Sequence, residues 1–144
     1  MQLLKIRPMK KALLYLCLLL PLLLLSCERY KTYELDGLWQ LKTVEDAGGN
    51  MTLVDTIFYG IQRECIFSFI VLENENQANV FYGYTDRLSD KELHISMDEK
   101  SIMWWDFPAL SGWNSTDNLF KIEKITGKNM VLSSEGKIYS FKKQ

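Results

Sequence analysis

Leu35-Asp36-Gly37-Leu38-Trp39-Gln40-Leu41 is the stretch on which the fold turns. Gly37, Trp39, Leu41 and Thr43 fall on one side of an extended chain, with Gln40 and Lys42 on the other. That two-residue period predicts a half-buried strand over Leu35 to Val44. The glycine lets backbone pass close to backbone. The tryptophan two residues on brings a large apolar body with one polar edge.

Downstream, extended segments alternate with turn chemistry. Asp46-Ala47-Gly48-Gly49-Asn50 is a turn cluster. Leu53 to Leu72 is rich in β-branched and aromatic residues, is too long for one strand, and is expected to break near Gly60; its second half, from Cys65, is apolar on both faces. A turn over Glu73 to Asn76 leads to a strand over Gln77 to Tyr84, with Ala78, Val80, Tyr82 and Tyr84 sharing a face. Thr85 to Asp90 turns again. Lys91 to Met97 then alternates, with Leu93, Ile95 and Met97 against Glu92, His94 and Ser96. Ile102 to Trp105 reads as a short strand and Asp106 to Asn118 as a long loop carrying Pro108, Gly112 and Trp113. Leu119 to Ile125, Met130 to Ser133 and Lys137 to Lys142 follow, joined by Gly127-Lys128 and Glu135-Gly136. Short strands separated by turns predict an all-β barrel or sandwich. No helical periodicity shows after Leu25.

Upstream lies an address. Lys5, Arg7, Lys10 and Lys11 precede the apolar run Ala12 to Leu25, and no acid occurs before Glu28. This is the charged and apolar pattern of a secretory signal. The run is short for a membrane-spanning helix, which needs roughly 20 residues. It ends in Leu24-Leu25-Ser26-Cys27, which resembles the lipobox of bacterial lipoproteins. The resemblance implies cleavage after residue 26 and lipidation of Cys27, whose sulfur carries a diacylglycerol and whose new amine is acylated. Two or more acyl chains anchor a protein stably. Residues 27–34 are then a lipidated tether and 35–144 the folded domain. Met9-Lys10-Lys11 reads as a start of its own, so translation begins at Met1 or Met9.

Composition bounds the function. About 117 residues follow Cys27, enough for one domain with its own core. Four of the 17 basic residues are lost with the signal, so 13 bases and 18 acids remain, a formal charge of −5. That balance argues against nucleic acid as a partner and gives no polybasic support for membrane contact. Cys65 is the one thiol left after export and lipidation. In its apolar run it is expected to be buried and inert.

The opening Gly37-x-Trp39, with the ending Phe120-Lys121-Ile122-Glu123-Lys124-Ile125, Met130-Val131-Leu132 and Tyr139-Ser140-Phe141-Lys142, resembles small lipocalin-like (calycin-type) lipoproteins of Bacteroides and relatives. The likeness covers most of residues 33–143. It implies a small antiparallel up-and-down β-barrel of about eight strands, in which Gly37 allows close entry and Trp39 closes the bottom. Two departures stand out. The mature chain is shorter than a full ligand-carrying lipocalin. Its last strand has no arginine to stack on Trp39, where Lys142 and Lys143 are the available cations.

Candidate sites are few. Met103-Trp104-Trp105-Asp106-Phe107 with Trp113 holds three of the four tryptophans. Such a loop either folds back as a barrel lid or meets a partner. Tyr59, Tyr82 and Tyr84 either line the barrel interior with polar tips or are ordinary strand residues. His94, the single histidine, falls on a polar strand face and reads as solvated. One histidine, one free cysteine and scattered acids such as Asp86, Asp90 and Glu92 offer no metal spacing and no activated nucleophile, so no cofactor and no catalytic residue are expected. Asp55-Thr56-Ile57 resembles a short O-glycosylation acceptor. The expected function is non-enzymatic: binding of a small apolar ligand or envelope lipid, with docking of an envelope protein through the Trp104–Trp113 loop as the alternative. Glu28-Arg29-Tyr30-Lys31 lacks an acidic surface-export run, which favours an outer-membrane anchor facing the periplasm.

Overall fold

The structure, a computed structural model, describes residues 33–144. The basic leader, Cys27, most of the tether and both candidate starts lie outside the described residues.

Nine strands and two short helices follow in order: β1 (Gly37–Glu45), β2 (Met51–Leu53), β3 (Ile57–Gln62), β4 (Ile66–Asn74), β5 (Gln77–Arg87), β6 (Glu92–Met97), α1 (Glu99–Ile102), α2 (Phe107–Ser111), β7 (Asp117–Ile125), β8 (Asn129–Ser134) and β9 (Lys137–Lys143). Consecutive strands pair antiparallel from β3 to β9, and β1 pairs with both β3 and β9. Eight strands therefore close a barrel. The short β2 lies beside the second half of β1, Thr43 opposite Leu53, where β3 no longer reaches. Closure leaves the eight barrel strands without an open edge to aggregate.

The odd-numbered residues of early β1 point inward, as the sequence pattern requires: Trp39 is wholly buried and Leu41 nearly so. Beyond Leu41 the phase changes. A bulge opposite β9 lets Lys42 slip out of register, so Thr43 faces Ser140 and Val44 faces Tyr139. Val44, not Thr43, packs against the core.

Leu53 to Leu72 divides at Arg63-Glu64, not at Gly60, which sits within β3 between Leu38 of β1 and Ser68 of β4. Arg63 and Glu64 both hold positive φ, 52° and 49°. Two such residues make the turn whose twist suits a tight hairpin, one normally built from Asn-Gly. Here the Asp36 carboxylate supplies what glycine would, accepting the Arg63 and Glu64 amides at 2.7 and 2.8 Å. Cys65 follows this turn and is exposed, contrary to the expectation of a buried thiol. The β8–β9 hairpin uses the same device at Glu135-Gly136, φ 54° and 77°.

Ile102 to Trp105 is not a strand, and Asp106 to Asn118 is not all loop. A strap over 98–116 carries α1 and α2, and β7 begins at Asp117. Asp98 caps α1 by accepting from the Lys100 amide. Asp106 caps α2, Pro108 follows in its first turn, and Gly112 ends it in the left-handed region. Helices of four and five residues are too short for periodicity to show, but the cap, proline and glycine are legible stop and start signals.

The barrel has unlike ends. At the closed end lie Tyr33 to Leu35, the β3–β4 turn, the β5–β6 loop and the C-terminus; at the open end lie β2, the strap and the β8–β9 turn. The interior between them is filled by aromatic rings. Tyr59, Phe67, Phe69, Phe107, Trp113 and Phe120 are each fully or almost fully buried. Burying one such ring stabilises by about 2–3 kcal/mol before chain-ordering entropy is subtracted.

Candidate functional site

The closed end is held by side chains that converge on Trp39. Its indole Nε1 donates to the Leu35 carbonyl at 2.7 Å, which satisfies the one polar atom of a buried ring. Lys143 of the last strand lies over its face, Nζ 5.1 Å from the ring centroid. A cation there gains from the ring's negative face. Gly37 makes the approach possible: a Cβ at that position would stand 2.4 Å from Lys143 Cε, and its φ of +140° is one that side chains resist. Around this plug, Arg87 bridges Glu34 and Glu64 at 3.3 and 3.2 Å.

The open end is closed differently. The strap turns Phe107 and Trp113 down into the barrel. Trp113 sits among Tyr59, Phe67, Phe69, Phe107 and Phe120, with ring centroids 5.2 to 6.1 Å away, mostly edge to face. Its indole N–H donates to the Tyr59 hydroxyl at 3.0 Å. Burial, and secondarily the neighbouring Tyr139, pushes the Tyr59 phenol far above its ordinary value, so it stays neutral. The strap is tied to the wall by polar contacts at its margins. Asp98 N donates to Tyr82 O at 2.9 Å, Tyr82 N to Ser101 Oγ at 2.7 Å, and Lys137 Nζ to Gly112 O at 2.6 Å.

Between the strap and the β1–β3 side of the mouth a cleft of about 270 Å³ remains, lined chiefly by Leu41, Val44, Val54, Ile57, Leu110 and Tyr139. It is the apolar concavity of the open end. A larger groove of about 620 Å³ crosses the outer wall, where Lys91, Glu92, Lys121 and Glu135 interrupt Leu119 and Ile138. Charged side chains border that groove, whereas Lys137 is the one charged residue lining the smaller cleft, whose apolar character small-molecule sites share.

The six aromatic candidates do not form one site. Tyr59 and Trp113 meet inside the barrel. Trp105 is half-exposed and packs its edge on Phe81 at 5.2 Å. Trp104 projects into solvent at 85% exposure, beside an exposed Met103. Tyr82 and Tyr84 lie on the outer face of β5, exposed, and do not line the interior. The inward phase of that strand is Phe81, Gly83 and Thr85. At the inward position between the two tyrosines there is no room for a side chain: a Cβ at Gly83 would meet the Ser96 carbonyl oxygen of β6 at 2.4 Å. Phe107 stood in the aromatic segment read from the sequence but not among the six candidates, although its place after a capping Asp106 and before Pro108 is the signal that it starts a helix.

His94 lies on the outer wall, half-exposed and paired with the Asp117 carboxylate of the neighbouring strand. Asp86, Asp90 and Glu92 do not converge, and among the described residues no three His, Cys, Asp or Glu side chains gather as metal ligands. Thr56 is exposed in the β2–β3 link.

A lipocalin-like barrel is the class that this closed antiparallel topology defines. Residues 22–144 match the family model described as a lipocalin-like domain, and the chain belongs to that family. Among solved structures it resembles a lipocalin-like protein from Bacteroides uniformis, with 29% identity over 77% of this chain and 99% of that one and a TM-score of 0.69. An uncharacterized protein from Bacteroides eggerthii aligns with 30% identity over 76% and 98%, TM-score 0.67. No curated protein matches the chain. The barrel is a fold that typically binds small ligands and does not typically catalyse.

Proposed function

We propose that this protein is a lipid-anchored lipoprotein of the cell envelope that binds a small apolar molecule or envelope lipid at the mouth of its barrel, without catalysis. The apolar cleft between strap and wall carries the reading, because it is an open recess at the barrel mouth that reaches the buried Leu41 and Tyr139. The packed lumen argues for a ligand that is small or that enters only in part. Native mass spectrometry of the full chain from its own envelope tests this. A retained small-molecule mass on the folded chain supports it; a bare mass, unchanged when envelope lipids are added back, overturns it.

Placement in the outer membrane, facing the periplasm, rests on the absence of an acidic run after Cys27. Protease applied to whole cells should leave the domain intact, and its release would reverse the placement.

A second reading, docking on an envelope protein, is carried by one observation, the exposure of Trp104 beside Met103. Trp113 takes no part in it, being buried. Trp104→Ala should change stability by less than about 0.5 kcal/mol and abolish co-purification of a partner. Unchanged co-purification removes this reading.

A further inference from the structure

We propose that the strap over 98–116 is a removable plug, whose Phe107 and Trp113 occupy a binding chamber that a flat aromatic ligand bearing one N–H or O–H donor takes over when the strap withdraws. This deepens the mouth-binding reading and rests on it.

The wall of the chamber belongs to the strands and the filling to the strap. Tyr59, Phe67, Phe69 and Phe120 come from β3, β4 and β7 and face inward in the register that closes the barrel. Phe107 and Trp113 come from a segment that forms no strand and enters no ladder beyond its two ends, Met97 N to Thr116 O and Asp98 N to Tyr82 O, both at 2.9 Å. Its remaining polar ties, apart from the Trp113–Tyr59 hydrogen bond inside, are side-chain contacts at the rim, and Met103, Trp104 and Asp106 lie in solvent. Withdrawal therefore breaks no barrel pairing. The seam already gapes on one side, where the apolar cleft separates α2 from β1 and β3.

The plug also defines what replaces it. Trp113 presents a flat bicyclic ring to edges and faces of four wall aromatics and one N–H to a buried phenol oxygen. A ligand of that shape leaves no ring unpaired and keeps the Tyr59 oxygen satisfied, which a pure hydrocarbon would not. Two more polar atoms await partners inside. Thr85 Oγ1 and Asn118 Nδ2 are buried with no hydrogen bond among the described residues. Both residues are inward-facing and more than nine-tenths buried, and they flank Ile95 in one row across β5, β6 and β7. Buried orphan donors are scarce in proteins. Here they put two polar atoms on the otherwise apolar inner wall of the barrel, a mix that ligand sites share.

Hydrogen exchange of the full chain in lipid nanodiscs, read by peptide mass spectrometry, tests the plug with indole as probe. Ligand that binds the opened strap raises the population of that state. Millimolar indole should speed exchange over the strap peptide at least tenfold and saturably, leave β3 and β4 peptides unchanged or slower, and act more weakly as 1-methylindole, which lacks the donor. Trp113→Ala, which removes the competing ring, should bind indole at least tenfold more tightly than the native chain does. Tyr59→Phe in that background should erase the preference over 1-methylindole. A strap that does not respond to indole, or one that opens only together with β3 and β4, overturns the plug. A native ligand retained by a chain with an unresponsive strap would leave the binding reading standing and remove only the plug. A responsive strap on a chain that carries no envelope ligand does the reverse.

Discussion

The two ends of the barrel are both closed by a buried tryptophan, by opposite means. Trp39 belongs to a barrel strand, pairs in register with Tyr59 and Lys143, and is fixed by contacts with Leu35 and Lys143. Trp113 belongs to a strap that enters the lumen from outside the ladder. Around Trp39 the polar atoms are satisfied and charges cross-link the β3–β4 turn, the β5–β6 loop and the N-terminal segment. The strap that carries Trp113 borders an apolar cleft and leaves Met103 and Trp104 exposed. The two ends thus differ in completeness: one finishes the fold, and the other keeps the open contacts on which the proposed binding rests.

The largest test of that division compares the two tryptophans. Trp39→Ala should destabilise the domain by about 3–5 kcal/mol in urea unfolding, since a pinned site cannot collapse onto the hole. Trp113→Ala should cost no more than about 3 kcal/mol, the low end for such a truncation, because the strap can resettle. Equal losses would erase the contrast. Gly37→Ala is the next lever. It forces a side chain into a left-sided φ and against Lys143, for a loss of about 1–3 kcal/mol, read as a fall in melting temperature.

Asp36→Ala should cost about 1–2 kcal/mol, by freeing two turn amides that a charged acceptor now holds. The loss should show as faster exchange at Arg63 and Glu64 before any change in the strap. The smallest effect is confined to alkaline solution. Burial, then the charge of Glu135, raises the Tyr139 phenol from an ordinary 10 to about 12. The folded state holds a proton that the unfolded state releases. The stabilisation is therefore complete below about pH 10 and is lost as pH rises through about 12. Tyr139→Phe should flatten that slope in urea midpoints taken from pH 9 to 12, and an unchanged slope would assign the effect elsewhere.

Several features were legible without coordinates. The alternation around Trp39 gave the first strand, and Lys91 to Met97 and the three C-terminal strands were placed within a few residues of their observed bounds, because each carries one apolar face against one polar face. The strands that misled are those whose interior partner is remote. On β5 Val80, Tyr82 and Tyr84 point outward, and the inward place is taken by Phe81, which meets Phe107 of the strap. At Arg63-Glu64 no turn residue marks the break, since the turn is stabilised by a carboxylate 27 and 28 residues earlier in the chain. Cys65 is exposed for the same reason: it belongs to that turn and not to the strand core.

The sequence by itself determined the all-β class, the closing role open to a Gly-x-Trp strand, and the family likeness, because strand period and turn chemistry are local and survive in a single chain. It also marked the tryptophan-rich segment as unusual. Only the tertiary structure decided which of those tryptophans is core, which is edge and which is free. That choice depends on the volume left inside a closed barrel, a quantity set by eight strands at once and written in no one stretch of residues.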